Sequence, residues 1–235
     1  MSEYFHTEAF ALKKQPWKDY GGLYVFYTKS MGKVHAVAQS SRKITSKLSA
    51  HLEPFGPTSL SLVRRNSWFR ITSARRIRVF ENMFSSGDAL NSYAESLKII
   101  DDMTRVGHPD LNLFSLLEEY FLALENFTGL HQSLKSIFIL RLLSVLGYCP
   151  ELNSCVQCKR ATGATSAIFS FEKGGFLCRL CEKHGTGKEL GEEEVVLLRE
   201  TLRRSLYEVA MMRTEERVRM SFSDTVEKFR EYQQA

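Results

Sequence analysis

The composition of this chain is that of a globular protein without a membrane span. It has 235 residues, of which 43% are apolar and 25% are charged, and this length suits one large domain or two to three small ones. No apolar run approaches the roughly 20 residues that cross a bilayer, and the first residues lack the basic start and apolar core of a signal peptide. These features predict a cytoplasmic protein, in which reducing conditions disfavour disulfides.

The charge is unevenly distributed along the chain. Residues 1–80 contain fourteen Lys and Arg but four Asp and Glu, whereas the remainder contains eighteen against twenty-three. A strongly basic first third indicates a polyanionic partner for that region. The alternative is that the uneven charge only keeps the surface soluble.

The first 80 residues predict a small closed β-barrel. Short runs alternate polar and apolar residues, and a glycine-containing connection at residues 29–33 is typical of a hairpin. Five strands in about eighty residues, with a long polar connection at 40–53, suit an OB-fold, and an SH3-like barrel is the alternative. The predicted strands are residues 8–14, 23–28, 34–39, 58–63 and 68–80.

After Asp88 the apolar residues recur at spacings of three and four, which predicts amphipathic helices. Asp88 is a candidate cap for the first of them. The third is apolar nearly all round, which predicts the central helix of a bundle that ends at Gly147 and Pro150. Three consecutive acids, which favour a helix N-terminus, open the fourth. The predicted helices cover residues 90–100, 113–124, 130–146, 192–212 and 223–234.

Four of the five cysteines form two Cys-x-x-Cys pairs that are separated by nineteen residues. This spacing is typical of a zinc site with four thiolate ligands at about 2.3 Å, and a hairpin that turns at Gly174-Gly175 would bring the pairs together. Four thiolates leave no position for a reactive water, so the sequence predicts one structural zinc per chain. The predicted ligands are Cys155, Cys158, Cys178 and Cys181.

Other uses of these cysteines are less consistent with the spacing. Redox chemistry needs one pair, and iron–sulfur clusters usually have less regular spacing. Cys149 lacks a pairing partner and is predicted to be a small buried apolar residue. His184 is an alternative metal ligand.

The sequence contains none of the common catalytic motifs: no phosphate loop, dinucleotide-binding glycine motif, zinc-protease motif or nucleophile elbow. Six scattered histidines show no local pairing with acids. The chain is therefore predicted to be a binding protein rather than an enzyme. A hydrolase with a carboxylate in the helical bundle is a further alternative.

Basic and aromatic residues are interleaved in the predicted barrel, as in proteins that bind single-stranded nucleic acid. If the last strand is regular, Arg70, Arg76 and Arg78 share a face opposite Phe69, which is predicted to lie in the core. Trp68 is predicted either to stack on bases or to pack in the core. The candidate nucleic-acid-binding residues are Arg42, Lys43, Lys47, Arg64, Arg65, Trp68, Arg70, Arg75, Arg76 and Arg78.

Two long stretches carry a family resemblance: GLYVFYTKSMGKVHAVAQSSRK followed by KLSAHLEPF, and LLSVLGYCPELNSCVQC running into FLCRLC. Together with the basic barrel and the helices, they resemble the bacterial RecO family of DNA repair mediators. The resemblance spans roughly residues 8–184 and implies an α+β protein with an N-terminal five-stranded OB-fold barrel and a helical bundle that contains a four-cysteine zinc ribbon. The predicted boundaries are 1–80 for the barrel, 81–150 and 188–235 for the helical domain, and 151–187 for the zinc insertion.

The resemblance also implies a function and partners. It implies binding of single- and double-stranded DNA, annealing of strands, and loading of RecA onto DNA coated by single-strand-binding protein, close to the nucleoid. RecR and the acidic C-terminal tail of single-strand-binding protein are the implied partners, with a functional link to RecF. A zinc-stabilised OB-fold protein that assists RNA processing is the alternative.

A candidate tail-binding site lies in the most apolar helix. A cation beside apolar walls suits an acidic, apolar peptide that ends in a carboxylate. The candidate partner-binding residues are Arg141, Ile137, Phe138 and Val145. Alternatively, Arg141 extends to solvent or pairs with Glu118 or Glu119.

Overall fold

The computed structural model describes residues 3–18, 21–39, 48–82, 86–162, 166–182, 185 and 187–234. The chain divides into two compact units, Met1–Asn126 and Phe127–Ala235. The first unit contains a β-barrel and two long helices, and the second contains helices and the four-cysteine segment. The α+β class is thereby confirmed, whereas the finer division at residues 80, 150 and 187 stays a prediction.

The barrel is closed in the strand order of an OB-fold. Each strand pairs antiparallel with its neighbours except β3 and β5, which run parallel, and pairing of β1 with β4 completes the closure. In β4 the alternating pattern places Leu60 and Leu62 inside and Ser59 and Ser61 outside, whereas β2 and β3 are buried almost throughout. The strands are β1 Tyr4–Trp17, β2 Gly21–Thr28, β3 Gly32–Ala38, β4 Thr58–Arg65 and β5 Trp68–Arg76.

The barrel encloses an apolar core. Tyr24 and Phe26 are both fully buried and their rings stack with centroids 5.7 Å apart. Phe69 is buried as predicted, and Phe5 packs edge-on against it at 5.6 Å. A short helix that the sequence analysis did not predict, α1 (Ser49–Leu52), adds the buried Leu52 to this core.

A β-bulge in β5 changes which arginines share a face. Ser61 pairs with Ser73 but Leu62 pairs with Ile71, so Thr72 is an extra residue in β5. The predicted common face of Arg70, Arg76 and Arg78 is therefore wrong. The strand ends at Arg76 rather than at residue 80.

Two helices complete the first unit, α2 (Gly87–Met103) and α3 (Leu111–Asn126). Ser86, not Asp88, caps α2, because its side chain accepts a hydrogen bond from the Ala89 amide at 3.2 Å. Asp88 lies in the first turn, where a carboxylate still favours the helix N-terminus. The Asp110 carboxylate accepts from the Asn112 amide at 2.8 Å at the start of α3.

The second unit is built around α4 (His131–Val145), whose apolar side chains are buried on all sides, as predicted for a central helix. Gly147, with φ +93°, follows its end. The single helix predicted over 192–212 is instead α5 (Glu192–Arg203) and α6 (Leu206–Ala210). The break has a local cause, since Ser205 and Glu208 form a capping box that starts a new helix. The last helix, α7 (Glu216–Gln234), begins earlier than predicted.

A three-stranded sheet in the order β7-β6-β8 supports the cysteines. The predicted hairpin is confirmed by the antiparallel pair β6 (Ser166–Ser170) and β7 (Gly175–Leu177). Gly174 adopts φ +66° in its turn, a conformation that favours glycine. The third strand, β8 (Lys188–Gly191), was not predicted and leads directly into α5.

Candidate metal centre and basic barrel surface

The two Cys-x-x-Cys pairs meet in space. All four sulfurs lie within 4.8 Å of one another, and the Sγ atoms of Cys158 and Cys178 are 3.7 Å apart. Each pair sits on a tight turn: the Lys159 amide donates to the Cys155 carbonyl at 2.9 Å, and the Cys181 amide donates to the Cys178 carbonyl at 2.9 Å. The arrangement could hold a metal ion within four sulfur ligands.

The cysteines are not electrostatically equivalent. Burial raises the pKa of the Cys155 thiol, but backbone N–H groups of Cys158, Cys178 and Gln157 outweigh it and lower the pKa overall. The hydrogen bond with the Cys178 thiol, followed by burial, raises the pKa of Cys181. Four thiolate charges this close together would repel one another without a cation between them. This donor set is suited to a positively charged centre.

Backbone contacts fix the first cysteine turn against the sheet. The Glu151 carboxylate accepts from the amides of Asn153 at 2.9 Å and Ser154 at 3.1 Å, and these hydrogen bonds lower its pKa. The Glu151 backbone also approaches Gly175 so closely that a Cβ there would lie 2.5 Å from its carbonyl oxygen. Glycine at 175 is therefore required by close packing.

Helix α5 holds the cysteine segment through Arg199. Its Nε donates to the Leu152 carbonyl at 2.8 Å, and its guanidinium lies 5.6 Å from the centre of the Phe176 ring. This arginine links the cysteine turn, the sheet and the helix. Nothing in the local sequence pattern distinguishes Arg199 from its basic neighbours, so its role could not be predicted.

A buried polar network joins β8 to α5 and α7. Lys188 Nζ lies 3.2 Å from a Glu194 carboxylate oxygen and donates to Thr225 Oγ1 at 2.7 Å. Ser221 Oγ donates to the other Glu194 oxygen at 2.8 Å. Glu194 is only 5% exposed. Because burying an unpaired carboxylate is costly, these hydrogen bonds and the ion pair with Lys188 offset that cost. This network could not be predicted either, because its members are distant in sequence.

Two further predictions about this region have different outcomes. Cys149 is exposed rather than buried, because it lies in the segment between Gly147, which ends α4, and the cysteine turn. The prediction of a small buried residue is therefore wrong. His184 lies outside the described residues.

The basic residues of the barrel fall into separate groups. Arg64 forms an ion pair with Glu3 at 2.8 Å, and its guanidinium lies 5.1 Å from the ring centres of Phe5 and Phe69. Arg76 donates to the carbonyls of Ala50 at 2.6 Å and Glu53 at 2.8 Å. Both arginines are therefore engaged within the barrel.

Other members of the candidate set are accessible or are not described. Trp68 is half-buried and pairs with Arg65 across the β4–β5 hairpin. Three candidates lie outside the described residues: Arg42, Lys43 and Lys47. Among the described candidates, the exposed arginines other than the ion-paired Arg64 are Arg65, Arg70, Arg75 and Arg78.

The candidate partner residues on α4 are mostly covered. Ile137 is 3% exposed and Phe138 is fully buried, whereas Val145 is half-buried. A guanidinium nitrogen of Arg141 donates to the Arg204 carbonyl at 3.0 Å, beyond the end of α5. A partner site at Arg141 stays a prediction.

No helix in the part of the chain that the structure describes is long and apolar enough to cross a membrane.

Sequence comparison identifies relatives along nearly the whole chain. Residues 1–80 match the family described as Recombination protein O N terminal, and residues 92–234 match Recombination protein O C terminal.

Curated proteins named DNA repair protein RecO are similar over most of their length. The protein of Alkaliphilus metalliredigens is 28% identical over 179 residues, covering 76% of this chain and 72% of the relative. That of Dehalococcoides mccartyi is 32% identical over 197 residues, covering 83% and 77%. That of Heliobacterium modesticaldum is 29% identical over 204 residues, covering 84% and 73%. With both family regions present in order on an OB-fold barrel and a helical unit, the chain belongs to the RecO family.

Proposed function

We propose that this chain is a non-catalytic mediator of recombinational DNA repair. It binds single- and double-stranded DNA, anneals complementary strands and helps to load RecA onto DNA coated by single-strand-binding protein. The observation that carries the proposal is the row of exposed arginines on an OB-fold barrel in a chain of the RecO family, whose curated relatives are named DNA repair proteins.

The chemistry required of the barrel is binding without turnover. Arg65, Arg70 and Arg75 have no ion-pair partner among the described residues, so their charge is available to phosphates. Trp68 is half-buried beside Arg65 and is proposed to stack on an unpaired base. Such binding depends on salt, and log K falls by about 0.7 for each phosphate contacted per tenfold rise in salt.

The four-cysteine cluster is proposed to hold one structural zinc per chain. A tetrahedron with zinc–sulfur bonds of about 2.3 Å has sulfurs about 3.8 Å apart, and the Cys158–Cys178 separation of 3.7 Å fits this value. The ligands would be Cys155, Cys158, Cys178 and Cys181, and when bound the ion would neutralise the thiolates and stabilise the fold. The four sulfur ligands would leave no position for a reactive water.

The proposed protein partners are RecR and the acidic C-terminal tail of single-strand-binding protein, with functional links to RecA and RecF in the cytoplasm at the nucleoid. The tail is proposed to bind near Arg141, the one cation within the apolar run 137–143 of α4. Its walls would come from Ile137, Phe138 and Val145, and since the first two are covered, binding there requires the helix surface to open.

A strand-annealing assay tests the proposal. Zinc-loaded protein mixed with complementary labelled strands at low salt, without ATP, is expected to accelerate annealing, and cognate single-strand-binding protein should be tolerated when its tail is intact but not when the tail is deleted. Arg42→Ala/Lys43→Ala should slow annealing. Absence of annealing at low salt would contradict the proposal, and stronger binding to an RNA strand than to DNA of equal length would favour the RNA-binding alternative.

A further inference from the structure

One face of the barrel combines arginines with a row of hydroxyl groups. On the outward side of β1, β4 and β5, cross-strand pairing places His6 beside Ser61 and Ser61 beside Ser73. One row further on each side, Arg70 lies opposite Val63 and Arg75 lies opposite Ser59. We call this surface the serine face: Tyr4, His6, Ser59, Ser61, Arg70, Ser73 and Arg75.

The hydroxyls and the imidazole of the serine face are aligned by hydrogen bonds. The His6 ring joins Ser61 Oγ through Nδ1 at 3.3 Å and Ser59 Oγ through Nε2 at 3.2 Å, and Ser73 Oγ donates to Ser61 Oγ at 3.1 Å. His6 and Ser73 are exposed, and Ser59 and Ser61 are half-buried. A neutral imidazole donates to one of its two serine partners and accepts from the other, so one of Ser59 and Ser61 keeps its hydroxyl proton for an anionic oxygen.

The bulge at Thr72 is what places both arginines on this face. Arg70 and Arg75 are five residues apart, so in a regular strand they would point to opposite sides. The extra residue restores them to one side. Their partners on β4 are four residues apart, which separates the backbone positions of the two arginines by about 13 Å along the strand, with the hydroxyl row between them.

The electrostatics of the serine face favour an anion. One carboxylate lies in the rows of this face, that of Glu8, which is opposite Ser59 on β1. It forms an ion pair with Lys29 at 3.0 Å. An ordinary solvated sheet face would pair its arginines with carboxylates, whereas Arg70 and Arg75 stand beside hydroxyls. Tyr4, at the end of the face, is 77% exposed and offers a whole ring for stacking, which a paired base cannot accept.

We propose that the serine face binds single-stranded DNA, an assignment that rests on the proposed function. Arg70 and Arg75 contact phosphates two repeats apart, the serine hydroxyls contact the backbone between them, and Tyr4 stacks on an unpaired base. This places the strand across β1, β4 and β5 and adds Tyr4, His6 and the serines to the binding residues.

A charge-matched pair of variants tests the assignment. Arg70→Gln/Arg75→Gln is compared with Arg213→Gln/Arg217→Gln, which removes two exposed cations from the second unit. Affinity for a labelled oligo-dT strand is measured at several salt concentrations. The first variant should bind about tenfold or more weakly, with the slope of log K against log salt reduced by about 1.4, the value for two phosphates. The control should retain both affinity and slope.

Photocrosslinking gives a second measurement. A strand that contains iodouracil should crosslink to the peptide bearing Tyr4, and a duplex of the same length should not. Equal competition by duplex, with no loss of affinity in Tyr4→Ala, would overturn the single-strand assignment.

The outcomes separate the two proposals. If the wild type fails to bind any strand, the proposed function falls. If the wild type binds and Arg70→Gln/Arg75→Gln matches its control, the serine face is wrong while the proposed function stands.

Discussion

The barrel and the cysteine segment are built around different kinds of core. The barrel closes on a core of buried apolar side chains from all its strands, including Phe26, Leu62 and Phe69. In the cysteine segment the buried cluster is Cys155, Ile168 and Leu177, so a sulfur atom belongs to the core itself. The stability of the barrel is therefore expected to tolerate changes of surface charge, whereas that of the cysteine segment is expected to depend on its proposed metal ligands.

Loss of a cysteine should produce the largest effect, confined to the second unit. Cys178→Ser should lose the metal and leave residues 151–182 without stable structure, because metal binding in small zinc modules contributes about 10 kcal/mol or more to folding. Hydrogen–deuterium exchange and metal analysis measure the two consequences together. Cys149→Ser, outside the cluster, is the control and should change neither, and unchanged exchange in Cys178→Ser would contradict the structural role.

A core truncation in the barrel should have the next largest effect. Phe26→Ala removes a fully buried ring and should lower the free energy of unfolding by about 3–5 kcal/mol. Denaturant unfolding of the barrel measures this loss. Ile77→Ala, at a side chain that is 48% exposed, should change stability by less than about 0.5 kcal/mol. Equal losses in the two variants would show that the barrel core is not where the structure places it.

The smallest effect is expected at Arg64. Its ion pair with Glu3 is exposed, with 49% and 63% of the side chains accessible, and pairs of this kind contribute up to about 1 kcal/mol. Arg64→Gln should therefore leave stability nearly unchanged and weaken DNA binding less than Arg70→Gln does. If Arg64→Gln lost more affinity for a DNA strand than Arg70→Gln, the distinction between ion-paired arginines and arginines available to DNA would be wrong.

Local patterns predicted the parts whose signals are local. Period-two alternation predicted the strands. The Cys-x-x-Cys spacing predicted that four sulfurs meet, and they do. The bulge at Thr72 could not be predicted, because the sequence around it looks like that of a regular strand. The extra residue nevertheless switches the side of the sheet to which all later side chains of β5 point. Arg76 was consequently assigned to the wrong face.

Some of the other differences between the predicted and observed elements have a signal in the sequence, and others have none. The break between α5 and α6 could have been found, since Ser205 and Glu208 have the spacing of a capping box. By contrast, β8 is four residues long and exists because it pairs with β6. Lys188 in that strand and Thr225 in α7 meet only after folding, so their contact is not visible in either segment alone.

The last helix also bears on how the cysteine segment can be isolated. Phe229 of α7 lies edge-on to Phe169 of β6 with ring centres 5.4 Å apart. A peptide limited to the cysteine segment, such as residues 151–187, would retain all four sulfurs of the cluster. It would lack the edge strand β8 and the ring of Phe229. Studied alone, such a fragment would report on a module stripped of its neighbours rather than on the one that this protein contains.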